Sequence, residues 1–178
     1  NNDGIIKVDS GVMLGKMVKK AMKNNLTGLE SLIGVPGTVG GALIMNAGAY
    51  GSEISNYFTS ATTITKTGEI KKYYKNDIDF KYRYSTFPQN EIVINATFSF
   101  PKGNKKDILK RKLSASKSRR DNQPLKFRSA GSIFKNPNSK ISAGQLIDQA
   151  GLKGLKSGNA EISNKHANFI VNLGDALS

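Results

Sequence analysis

The stretch Gly34-Val35-Pro36-Gly37-Thr38-Val39-Gly40-Gly41, followed by Asn46-Ala47-Gly48-Ala49-Tyr50-Gly51, decides what kind of fold this chain can have. Bare glycine lets backbone amides approach a phosphate oxygen with no Cβ in the way. The same residues also suit a tight turn packed under a helix, and Pro36 stiffens one such turn. The spacing is not G-x-G-x-x-G after a strand, so a dinucleotide-binding βαβ unit is excluded. No Gly-Lys-Ser/Thr follows, so a P-loop is excluded as well. A second glycine segment so soon after the first favours a cofactor cradle over a lone turn.

Working outward, the spacing of Val12, Leu14, Met17, Val18, Ala21 and Met22 predicts a helix over 12–24, stopped by Asn24-Asn25. Lys19, Lys20 and Lys23 occupy its polar face and last turn, where they favour the helix dipole. Thr59–Thr65 and Ile70–Tyr74 read as strands joined by a turn at Gly68-Glu69. Residues 91–100 alternate, with Ile92, Ile94, Ala96, Phe98 and Phe100 on one face of a strand. Pro101-Lys102-Gly103-Asn104 ends that strand. A very basic helix follows over 105–120, anchored by Ile108, Leu109 and Leu113, and a domain boundary falls within it or at its end. Ser142–Ala150 reads as a short helix with Leu146 and Ile147 facing in and Gly151 as its stop. Asn168–Asn172 reads as a buried strand. Helices and strands do not alternate regularly, so the fold class is α+β.

Composition narrows the function. The 178 residues suffice for one large domain or two small ones. There is no cysteine and a single histidine, so disulfides, thiolate sites and a histidine metal cluster are excluded. No apolar run reaches the roughly 18 residues of a membrane span, and residues 1–10 do not resemble a signal peptide. The net charge is +14, of which +3 falls in residues 1–100 and +11 in 101–178. A basic half implies an anionic partner: nucleic acid, a membrane surface or a phosphorylated ligand.

Three further segments carry chemistry. In Tyr82-Arg83-Tyr84, an arginine between aromatics presents either an ordinary exposed charge or a fork that fits a carboxylate. Arg119-Arg120, with a lysine near, suits a diphosphate. Ser129-Ala130-Gly131-Ser132-Ile133-Phe134-Lys135-Asn136-Pro137 offers the Ser132 hydroxyl, either to a site or to a turn. No G-x-S-x-G elbow is present, so a nucleophile triad is not expected. Lys165-His166-Ala167-Asn168 leads into the last strand, and a lone histidine there reads as an orienting hydrogen-bond partner.

In this order and spacing, the four segments resemble the MurB family, the UDP-N-acetylenolpyruvoylglucosamine reductases. The resemblance implies a partial FAD-binding domain of the vanillyl-alcohol-oxidase/PCMH type over 1–117 and a partial α+β substrate-binding domain over 118–178. It implies that Gly34, Pro36, Gly37, Thr38, Gly40, Gly41, Asn46, Ala47, Gly48, Ala49 and Gly51 bind FAD. Tyr82, Arg120 and Asn136 would contact a UDP-sugar substrate, with Arg120 at its diphosphate. NADPH would reduce the FAD, and a hydride would pass to the enolpyruvyl ether. Arg83 would stabilise the developing charge, and Ser132 would give the proton. Family members carry a further N-terminal domain and a C-terminal catalytic Glu outside this sequence, which Asp175 does not match. The short interval Asn138–Ser142 resembles the second subtype, which lacks a long substrate-covering loop. No metal, no membrane insertion and a cytoplasmic setting are further expectations. The competing reading is a basic nucleic-acid-binding domain, disfavoured because residues 102–120 contain no aromatic side chain to stack on bases.

Overall fold

The computed structural model describes residues 4–138 and 140–177. It is α+β, and the chain divides into two compact units, residues 1–116 and 117–178. The first unit contains β1 (Ile5–Asp9), helix α1 (Leu14–Lys23), helix α2 (Val39–Ile44), β2 (Gly48–Ala49), β3 (Ser52–Glu53), β4 (Phe58–Thr65), β5 (Ile70–Tyr74), β6 (Phe80–Lys81), β7 (Tyr84–Ser85) and β8 (Glu91–Ser99). Four of these strands form one antiparallel sheet in the order β1-β8-β4-β5. Helix α3 (Lys105–Asn122) runs from the first unit into the second. The second unit adds β9 (Arg128–Ser132), helix α4 (Ala143–Gln149), β10 (Lys156–Ser157), β11 (Ala160–Ile162) and β12 (Phe169–Asn172), with the sheet order β10-β11-β12-β9.

The core of the first unit follows from helical spacing. Leu14, Met17, Val18 and Ala21 put one stripe of α1 against Leu32, Val39, Leu43, Phe58 and Phe98. Helix α1 starts two residues later than its apolar pattern suggests. Met13 is extended and pairs with Thr38 in an isolated bridge, so the backbone before α1 is committed to the glycine segment. In β8 the alternation breaks. Thr62 faces Asn95 and Thr63 faces Val93, so Ile94 is a bulged extra residue. The bulge turns Val93 into the core with Ala96 and Phe98, and leaves Ile92 70% exposed.

Three other expectations on apolar positions are corrected. Leu109 and Leu113 do not anchor α3. They are exposed, and Ile108 and Ala115 are the buried positions. Leu146 of α4 is exposed, with Ala143 the buried residue of that helix. In β12 only Phe169 and Val171 are buried, while Ile170 is exposed, as expected for a sheet covered on one side.

Helix α3 is tied to the first unit by a buried carboxylate. Glu30 accepts from Thr27 Oγ1 at 2.6 Å, from the Gly28 N–H at 2.8 Å, and from Arg111 Nε and Nη2 at 3.2 and 3.1 Å. Burial alone would raise the Glu30 pKa, but these donors outweigh it and hold it below the ordinary 4.5. The ion pair therefore contributes fully above about pH 4.5, and its contribution is lost as pH falls through the lowered value. Arg111→Ala leaves the carboxylate without its cation. Because Arg111 is half exposed, the expected loss is about 2–3 kcal/mol, below the roughly 3–5 kcal/mol of breaking a fully buried pair. Urea denaturation at neutral pH reads this loss, and the same scan at pH 3 shows a smaller difference between variant and parent.

Candidate functional site

In the first unit the glycine segment forms a platform. Thr38 caps α2, its hydroxyl accepting from the Gly41 N–H. Val39 and Gly40 N–H groups are bonded to the Val12 and Ser10 carbonyls, so they serve the fold rather than a ligand. Gly40 itself is buried, and a Cβ there would lie 2.9 Å from Ser10 Cβ. A larger residue at 40 would therefore damage packing. Gly37 differs: its φ is +116°, and open space lies where a Cβ would stand. Gly34, Pro36, Gly37 and Gly41 are exposed.

The second glycine segment is a two-residue hairpin, β2–β3, turning at Tyr50 and Gly51 with φ values of 51° and 80°. Ala47, Gly48 and Ala49 are half-buried along it. Next to it stands a second tight hairpin, β6–β7, whose turn is Tyr82-Arg83. Asn46 joins the two. It is fully buried, and its amide donates to Glu53 Oε2 at 2.8 Å and to the Lys81 carbonyl at 3.1 Å. Its side chain is thus engaged in positioning the turn, not exposed to a ligand. Ser85 Oγ donates to the Ile44 carbonyl at 2.8 Å, a further tie between α2 and β7.

Arg83 is held by this frame. Its φ is 53°, a left-handed conformation that costs a non-glycine residue about 1–3 kcal/mol. Its Nη2 donates to the Gly48 carbonyl at 2.9 Å, and its guanidinium lies 5.1 Å from the Tyr82 ring centroid. Asn46, Tyr50 and Arg83 all have positive φ. Tyr50 and Arg83 each lie in the turn of a two-residue hairpin, where positive φ is common, and asparagine adopts it readily. Around the same segment, Met13, Ile44, Met45 and Tyr50 leave apolar side chains exposed. The sequence reading did not single out Met13, Ile44 or Met45. Open glycines beside exposed apolar side chains fit a flavin nucleotide: bare backbone for the polar chain, apolar surface for the ring.

In the second unit, Ser132 ends β9, opposite Phe169, directly after Gly131 with φ +87°. Asn168 fixes the chain just beyond it. Its Nδ2 donates to the Phe134 carbonyl at 2.8 Å, its Oδ1 accepts from the Phe134 N–H at 2.9 Å, and its own carbonyl takes the Ile133 N–H. His166 Nδ1 accepts from the Asn168 N–H at 3.2 Å, and the ring packs edge-on to Phe169. Burial, with Lys153 nearby, holds the His166 pKa below its ordinary value. Asn136 Oδ1 accepts from the first N–H of α4, Ala143, at 3.1 Å, so part of this side chain serves the helix start.

Arg120 is exposed and lines a cavity of about 660 Å³ with Lys126 and Lys165, next to Leu125, Phe127 and Leu173. Lys165 Nζ donates to the Arg120 carbonyl. Glu161 is the one carboxylate lining the cavity, and it is paired with Lys156 at 3.3 Å. Lys165 was missed as a cavity residue because in sequence it only precedes a strand. Among the described residues there is no cluster able to hold a metal ion, and no helix long and apolar enough to cross a membrane.

Comparison with known proteins bears on the same two regions. The family of FAD binding domains matches residues 1–73, and the UDP-N-acetylenolpyruvoylglucosamine reductase C-terminal domain matches residues 123–178. A UDP-N-acetylenolpyruvoylglucosamine reductase of Carboxydothermus hydrogenoformans is 45% identical over 174 residues, covering 97% of this chain and 57% of the relative. One from Listeria monocytogenes serotype 4a is 45% identical over 179 residues, covering 100% of this chain and 59% of the relative. The crystal structure of the reductase from Thermus caldophilus superposes with a TM-score of 0.88 at 40% identity, covering 96% of this chain and 63% of that one. The chain thus spans rather more than half the length of the relatives it matches. On the likeness of both domains and of the fold, it belongs to the UDP-N-acetylenolpyruvoylglucosamine reductase (MurB) family.

Proposed function

We propose that this chain forms the greater part of a flavin-dependent, NADPH-driven reductase that converts UDP-N-acetylenolpyruvoylglucosamine to UDP-N-acetylmuramate for peptidoglycan synthesis. The observation that carries the reading is Arg83, strained in its backbone and braced on the Gly48 carbonyl beside open glycines. FAD, when bound, supplies the hydride chemistry, with NADPH as its reductant. Gly34, Pro36, Gly37, Thr38, Gly41, Ala47, Gly48, Ala49 and Gly51 hold it through backbone approach, while Gly40 and Asn46 support them from within. Arg83 offers its guanidinium to the substrate carboxylate, with Tyr82 under it. Ser132 delivers the proton. Asn136 contacts the substrate, and Arg120 with Lys126 and Lys165 meets the diphosphate.

Gly41 provides a clean test of the flavin cradle. It lies in the first turn of α2, is exposed, and a Cβ there meets only Thr38 Oγ1 at 3.7 Å. Gly41→Val is expected to leave the melting temperature nearly unchanged, because valine and glycine differ little as helix residues. In a protein of the relatives' full length it should nevertheless lose most of its flavin, read from the absorbance ratio of the purified protein. Full flavin content in a folded Gly41→Val protein would remove the cradle from α2.

Arg120 tests the substrate end. A diphosphate contact persists in the ground state and the transition state alike. Arg120→Ala is therefore expected to raise KM by about 10–100-fold, the value of a charge-assisted hydrogen bond, with kcat little changed. An unchanged KM would make Arg120 ordinary surface charge.

A further inference from the structure

Helix α3 carries more charge than its packing uses. Within the first unit it buries Ile108 and Ala115, and Arg111 is engaged by Glu30. The opposite face, by helical spacing, presents Lys106, Leu109, Lys110 and Leu113, all exposed. Leu113 is 61% exposed, standing between lysines. The end of α1 is stitched to the start of α3: the Thr27 N–H donates to the Pro101 carbonyl at 3.0 Å, and the Gly103 N–H to the Asn25 carbonyl at 2.8 Å. Exposed Lys20 and Lys23 therefore lie at the same end of the unit as Lys102 and Lys105. Asp107 is the one acid in residues 101–116.

We propose that this face adsorbs to an anionic lipid surface. The lysine ammonium groups meet headgroup phosphates, and Leu109 and Leu113 enter the interfacial layer between them. The net charge of +14 supplies the long-range attraction. A purely solvated basic face gives two exposed leucines no role. A nucleic acid offers the same phosphates, but this face has no aromatic side chain on which bases would stack, and leucines gain little from a phosphate backbone. Because no helix among the described residues is long and apolar enough to span a bilayer, contact is at the surface.

Co-sedimentation with vesicles tests this. A protein of the relatives' full length containing this chain should pellet with vesicles of phosphatidylcholine mixed equally with phosphatidylglycerol, not with phosphatidylcholine alone, and pelleting should weaken as salt rises. Each lysine neutralised in Lys106→Gln and Lys110→Gln should weaken binding about fivefold. Leu109→Asn with Leu113→Asn should weaken it further at constant charge. Thermal melts confirm that these surface variants stay folded. Failure to pellet with the anionic vesicles would overturn the proposal, as would affinity unchanged in either set of variants. Tighter binding to single-stranded RNA than to vesicles at the same salt would also overturn it and assign the patch to nucleic acid.

Discussion

Ser132→Ala, in a protein of the relatives' full length, is expected to slow reoxidation of the reduced enzyme by UDP-N-acetylenolpyruvoylglucosamine by about 10²–10⁴-fold. Flavin binding and reduction by NADPH should stay at the parent's level. A serine hydroxyl is a weak acid in water, so it gives up its proton only beside a strong base. Hydride addition to the enol ether makes the adjacent carbon such a base, and only that half of the reaction needs the proton. The position suits a donor. Ser132 is exposed at the end of β9, with the chain beyond it clamped at Phe134 by the buried Asn168. Cysteine at 132 should restore part of the rate, since its thiol also donates. Stopped-flow absorbance separates the two halves. Equal slowing of both, or of neither, would make Ser132 a turn residue only.

Arg83 should show a comparably large effect with a different signature. Arg83→Ala is expected to lower turnover by about 10²–10³-fold, the cost of losing a preorganised donor to developing charge. Arg83→Lys should recover little, because an ammonium cannot offer the planar fork. Arg83→Gly is the most telling variant. Its backbone suits φ = 53° without strain, so the fold should be as stable as the parent or more so, while turnover falls as in the alanine variant. Stability and rate moving in opposite directions would show that the strained conformation serves the guanidinium. Parent-like turnover in the glycine variant would remove Arg83 from the chemistry.

Much of this was legible in the sequence, for local reasons. The helical spacing of Leu14, Met17, Val18 and Ala21 fixes the buried stripe of α1, and Gly68 marks the hairpin between β4 and β5 where its φ is +88°. The glycines of the second segment and the Tyr82-Arg83 pair mark tight hairpin turns, which are local features. What was not legible depends on distant partners. The bulge at Ile94 exists because β4 sets its register, and nothing in residues 91–100 signals it. The close packing of Gly40 on Ser10, 30 positions away, is equally invisible in the glycine segment itself. The Asn46 amide donates to the Lys81 carbonyl, 35 positions away, a tie that local sequence does not announce. The second unit leaves Leu146 and Ile170 exposed, so apolar pattern alone misjudged part of its core.

The central claim, that the protein is a flavin reductase of this UDP-sugar, is met most directly by one anaerobic titration followed by its visible absorbance. A protein of the relatives' full length, containing this chain, is purified, treated with one equivalent of NADPH, and then given UDP-N-acetylenolpyruvoylglucosamine. The account predicts a flavin band that bleaches with NADPH and returns on addition of the substrate, with UDP-N-acetylmuramate formed in equal amount. A colourless protein, or a bleached flavin that the UDP-sugar fails to reoxidise, would contradict it.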